Sequence, residues 1–189
     1  MFHRRSMLKW ISGALGAASA AVITLPGGHF LAEALRPRRG KAIVQRLARL
    51  RDLSPGRPLQ VAVVSSRRDA WTLYPEEVVG RVWLVRQSEE ADDGVGRPPR
   101  VAAFTAVCPH LGCTLQLSQP GGHFVCPCHR AEFALDGAPL AEPGRKSHAP
   151  RGMDTLDCRL VRDSDDDDWW VEVTYEKFEQ GLTSKVSKA

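Results

Sequence analysis

The stretch CPHLGCTLQLSQPGGHFVCPCHR, residues 108 to 130, holds four of the chain's five cysteines and three of its six histidines. Its metal-ligating side chains fall as Cys108-x-His110, fifteen further residues, then Cys126-x-x-His129. Two thiolates and two imidazoles at such spacing can close a tetrahedral metal site. Each half also carries a second cysteine, Cys113 or Cys128, and a four-ligand zinc site has no use for six candidates.

Side chains so closely grouped need rigid elements on either side. From residue 59 onward the chain alternates short β-branched and aromatic runs with turn formers. LQVAVVSS, GRVWLVRQ, RVAAFTAV, GHFVC, DTLDCRLV and WWVEVTY are the expected strands. No long amphipathic helix interrupts them and no fixed period repeats, so a mostly β body, an antiparallel sandwich over 59–175, is expected. The acidic run Asp163 to Asp168 lacks the spaced ligands and turn glycine of a Ca²⁺ loop and reads as a solvated hairpin tip. Residues 176–189 read as a C-terminal tail.

The N-terminal part has a different character. Residues 1 to 58 carry a net charge of +9 and residues 59 to 189 a net −5. These basic residues flank an apolar segment, which favours an anionic membrane surface as partner, and no nucleic-acid module is visible. From Trp10 to Ala32 no side chain is charged for 23 residues. As a helix that segment is about 34 Å long, enough for a hydrocarbon layer of about 30 Å. Pro26-Gly27-Gly28 is expected to bend or end it near the far interface. HRRSMLKW resembles a twin-arginine export signal, and Ala18-Ser19-Ala20 offers a cleavage site. We read residues 1–32 as signal and retained anchor. Residues 33–58 read as a basic hinge, in which Ile43, Val44, Leu47 and Leu50 share one helical face, either packed or laid on a membrane or partner.

CPHLGC and CPCH resemble the two boxes of Rieske iron–sulfur proteins, most of all the Rieske subunits of cytochrome bc-type quinol:cytochrome c reductases. SPGRPLQVAV, VWLVR and VAAFTAVCPH fit the strands leading into such a site, and HAPRGMDTL resembles the loop that covers it. The resemblance implies a Rieske β-sandwich with an inserted cluster-binding part at about 102–152. It further implies a [2Fe-2S] cluster with Cys108 and Cys126 on one iron and His110 and His129 on the other. Cys113 and Cys128 would then form a disulfide, which suits an exported protein. His148, Ala149, Pro150, Arg151 and Gly152 would form the covering loop, and His129 would meet the quinol. The implied partners are a b-type cytochrome, a cytochrome c-type haem, quinol and the inner membrane, with the Rieske domain on its extracytoplasmic side. A small Rieske subunit of a periplasmic oxidoreductase such as arsenite oxidase is the alternative, and a structural zinc domain a third.

The chain departs from the family after the second box. Gly, Ser, any residue and Tyr are replaced by Arg130, Ala131, Glu132 and Phe133. The hydroxyls that donate to cluster sulfurs in the family are therefore missing. This implies a lowered potential, partly offset by Arg130 and suited to menaquinol. His123 and His29 read as structural or interfacial, and Cys158 as an inert core thiol.

Overall fold

The computed structural model describes residues 3–35, 42–68, 71–87, 99–118, 122–141, 147–163 and 168–188. The chain divides into two units with the boundary between Arg39 and Gly40. The first is a single helix, α1 (Arg4–Leu35). Its stretch Arg4–Glu33 is long and apolar enough to cross a membrane. Of the two outcomes expected at Pro26-Gly27-Gly28, a bend or an end, the end does not occur: α1 runs through Pro26 to Leu35. The proline forfeits one backbone hydrogen bond, a loss that an apolar spanning helix tolerates.

The second unit is built from β1 (Ile43–Arg49), a 3-10 turn (Leu50–Asp52), β2 (Leu59–Arg68), β3 (Leu73–Arg86), β4 (Val101–Thr105), β5 (Gln116–Leu117), β6 (Phe124–Val125), β7 (Glu132–Phe133), β8 (Pro139–Leu140), β9 (Thr155–Arg162) and β10 (Trp169–Tyr175). Six strands form one antiparallel sheet in the order β1-β10-β9-β4-β3-β2. Each contributes to one core: Ala48, Val63, Val82, Leu84, Ala103, Leu156, Val171 and Val173 pack together. β4 and β9 are neighbours in this sheet, and the chain between them carries a second antiparallel sheet, β5-β6-β7-β8.

β3 and β4 join the two layers. Successive side chains on a strand point to opposite faces. Val82 and Leu84 therefore enter the first core, while Trp83 and Val85 enter a second one with Phe104, Leu115, Phe124 and Phe133. Trp83 and Phe124 pack with ring centroids 5.2 Å apart. This double coverage explains the unbroken apolar run VWLV, whose four residues are all buried.

Two expectations fail here. Residues 43–49 are a strand, not a helix: Ile43 pairs with Tyr175 and Val44 with Thr174, and a bulge lies between Arg46 and Ala48. A helical face and a bulged strand share apolar positions in so short a run, and pairing with β10 decides between them. Two basic side chains of this stretch meet the acidic hairpin: Arg46 lies 3.4 Å from Asp163, and Arg51 3.2 Å from Asp168. The tip of that hairpin, 164–167, lies outside the described residues. The body therefore begins at Ile43, and the expected hinge contracts to the residues before it, of which 36–41 also lie outside the described residues. Likewise, 177–188 is no free tail: Phe178 is buried in the first core.

Candidate metal centre

Both cysteine–histidine boxes sit at the tips of hairpins, and both tips fold the same way. In the first, Val107 pairs with Thr114 at the base, Cys108 N–H donates to Cys113 O (2.8 Å), and Gly112 N–H donates to Cys108 O (3.0 Å). In the second, Val125 pairs with Glu132, Cys126 N–H donates to Ala131 O (2.8 Å), and Arg130 N–H donates to Cys126 O (2.9 Å). The fourth residue after each leading cysteine must take a left-handed backbone to close this turn. Gly112 does so at φ 82° and Arg130 at φ 53°. Glycine suits that conformation, whereas a side chain is strained in it.

The turns bring the two boxes together. Cys113 and Cys128 form a disulfide with Cα atoms 6.7 Å apart. The Cys126 sulfur lies within 4.8 Å of both. The rings of His110 and His129 stand edge to face with centroids 4.9 Å apart. Cys108 and Cys126 are free thiols, each 1% exposed, in the core that holds Ala131, Phe133, Ala149 and Met153. His129 and Arg130 are exposed.

The residues fit a metal group. With Cys113 and Cys128 consumed by the disulfide, two thiols and two imidazoles remain. Nδ1 of His110 is buried and has no hydrogen-bond partner, which a native fold seldom tolerates unless the atom serves another purpose. Burial pushes the Cys108 thiol up to about 11, and the adjacent Cys126 sulfur pushes the same way. Such a thiol stays protonated at neutral pH until a bound cation makes its thiolate favourable.

The covering loop packs on this core through Ala149 and Met153, while His148 is exposed and Pro150 is half-buried. Gly152 leaves no space for a side chain: a Cβ there would stand 2.7 Å from Gly137 O. Arg151 is held by Asp154, with Nε–Oδ1 and Nη2–Oδ2 distances of 2.8 Å each. His123 lies 3.8 Å from Glu132, away from ligation. His29 is on α1. Cys158 is partly buried against the first core, donates to Val101 O at 3.1 Å, and burial raises its thiol. The contacts that residues 179–182 make with the site leave no side-chain signature, because they run through main-chain carbonyls.

The chain resembles the cytochrome b6-f complex iron–sulfur subunit 3 of Nostoc sp., 27% identical over 142 residues, or 74% of this chain and 72% of the relative. It also resembles the menaquinol:cytochrome c reductase iron–sulfur subunit of Geobacillus thermodenitrificans, 28% identical over 151 residues, or 78% of this chain and 80% of the relative. Among solved structures it resembles a chain of a hyperthermophilic respiratory Complex III, at 20% identity and a TM-score of 0.38, covering 84% of this chain and 98% of the other. Residues 44–159 match the Rieske [2Fe-2S] domain. That span covers more than half of the chain, which therefore belongs to the Rieske iron–sulfur family and carries the family's [2Fe-2S] cluster.

Proposed function

We propose that this chain is the iron–sulfur subunit of a membrane quinol:cytochrome c reductase of the bc type. Cys108 and Cys126 hold one iron, and His110 and His129 hold the other. The observation that carries the reading is the pairing of Cys108 with Cys126 and of His110 with His129 across two boxes tied by the Cys113–Cys128 disulfide, in a chain that also has a helix able to cross a membrane.

When bound, a His₂Cys₂ cluster takes up and releases one electron at a potential between about −150 and +300 mV. The chain supplies the rest. His129 is exposed and its free ring nitrogen accepts the hydrogen bond and then the proton of a quinol hydroxyl, while the buried cysteines keep water from the other iron. A b-type cytochrome provides the quinol pocket and a cytochrome c-type haem receives the electron. The helix α1 anchors the subunit in the inner membrane, with the Rieske domain on the oxidising side where a disulfide persists.

The potential belongs to the lower part of the range, as menaquinol requires. Ala131 and Phe133 are buried in the core around Cys126, and neither has a hydroxyl to donate to a sulfur. The likeness to a menaquinol:cytochrome c reductase subunit supports this. Potentiometric titration of the purified protein tests it, and a midpoint near +300 mV would refute it. Purification of the tagged chain from its native membrane tests the larger reading. A b-type cytochrome is expected to accompany it; a molybdenum subunit in its place would assign the chain to a periplasmic oxidoreductase.

A further inference from the structure

The residues after β10 fold back on themselves and close on the metal centre from outside both boxes. Glu179 N–H donates to Val186 O (2.8 Å) and Lys188 N–H to Lys177 O (2.7 Å), which makes a hairpin of 177–188. At its turn Gly181, with φ 77°, donates its N–H to Pro109 O at 2.9 Å. That carbonyl belongs to the peptide leading into His110. Gln180 stands beside Gly112, where an added Cβ would lie 3.7 Å from its side chain. The other backbone hydrogen bonds of the first box are internal to it. Among the described residues, the bond from Gly181 is thus the one main-chain bond tying the Pro109–Gly112 tip to an outside segment.

The hairpin is held in turn by the covering loop. The Arg151 side chain is only 9% exposed and its partner Asp154 6%. Two of its nitrogens pair with the Asp154 carboxylate. Nη1 donates to Leu182 O at 2.5 Å, and Nη2 also to Glu179 O at 2.7 Å. Those carbonyls flank Gly181 on both sides. The planar fork of a guanidinium can meet a carboxylate and two carbonyls at once, which a lysine ammonium cannot do with the same geometry. Asp154 is itself fixed through its own carbonyl, which accepts the Thr105 N–H at 2.9 Å.

We propose that Arg151 is a positioning residue of the metal centre: it latches the C-terminal hairpin, and the hairpin, through Gly181 N–H and Pro109 O, seats the loop that carries His110. The covering loop and the C-terminus then act as one clasp. This rests on His110 being a cluster ligand.

The test uses the full-length, cluster-loaded protein and compares wild type with Arg151→Met, Arg151→Lys, a deletion of 177–189, and the Arg151→Met deletion double variant. The readouts are iron per chain, the paramagnetic resonance spectrum of the reduced state, and the midpoint potential. Arg151→Met is expected to keep its iron but shift both spectrum and midpoint. Arg151→Lys is expected not to restore them. The deletion should reproduce the shift, and the double variant should add nothing, because both changes open the same latch. A native spectrum and midpoint in Arg151→Met and the deletion would overturn the proposal, as would additive shifts. If those variants fail to load iron, Gly181→Ala carries the test: it strains the turn at positive φ while leaving the Arg151–Asp154 pair intact, and a native spectrum there would overturn the proposal equally. Absence of any Rieske-type signal in the wild type would instead refute the ligand assignment.

Discussion

Arg130 occupies a backbone position that glycine fills in the matching turn of the first box. A left-handed residue with a side chain is destabilised by about 1 kcal/mol or more. Arg130→Gly is therefore expected to raise stability by about 1 kcal/mol in denaturant unfolding. It should also lower the midpoint potential, since a cation beside His129 favours the added electron. An unchanged stability would show the turn unstrained, and a raised midpoint would remove the guanidinium from the account of the potential. Ala131→Ser tests the missing donor. One charge-assisted hydrogen bond of about 1.4 kcal/mol favouring the reduced state corresponds to about 60 mV for a one-electron couple. A potentiometric titration should show a rise of that order, and no rise would mean that a hydroxyl at 131 does not reach a sulfur. At this scale the sequence was most legible, because ligand chemistry resides in residue type and spacing. Residue type and spacing narrow the candidates to six, and the resemblance divides them into four proposed ligands and a disulfide, whereas the strain at Arg130 could not be read, since φ is a property of the closed turn.

The elements were legible in proportion to their length. All six apolar runs expected as strands contain or overlap one, but β5, β7 and β8 have two residues each, too few to show alternation. β1 reads equally well as a helix until its partner β10 is known. The C-terminal hairpin is held by main-chain carbonyls that no side-chain pattern displays. The disulfide brace, by contrast, followed from the resemblance, and its energetic role can be stated. Cys113 and Cys128 are 15 residues apart, and closing a loop of that size restricts the unfolded chain by about 3 kcal/mol. Replacing both with serine is expected to lower unfolding free energy by about that amount. If the stability of the double variant matched wild type, the bond would not brace the two hairpin tips.

At the scale of the molecule the chain joins a helix able to span a membrane to a domain that displays His129 on its surface. The segment between Leu35 and Ile43 connects them. On the proposed function the domain must travel between quinol and haem. A cysteine pair stapling residues 36–42 should then stop quinol:cytochrome c turnover while the cluster signal stays native; full turnover with the staple closed would contradict such movement. The two-layer body was readable as mostly β, but its division of labour was not. Only the registers of β3 and β4 show that single strands feed both the supporting core and the core beneath the metal centre. Everything above the fold depends on the ligand set. Its most direct test is pulsed paramagnetic resonance on the reduced protein carrying ¹⁵N-labelled histidine. Strong coupling to nitrogens of two histidines is expected, with loss of one of them when His110 is replaced by cysteine. A reduced cluster without histidine coupling, or a chain that binds zinc in place of iron, would contradict it.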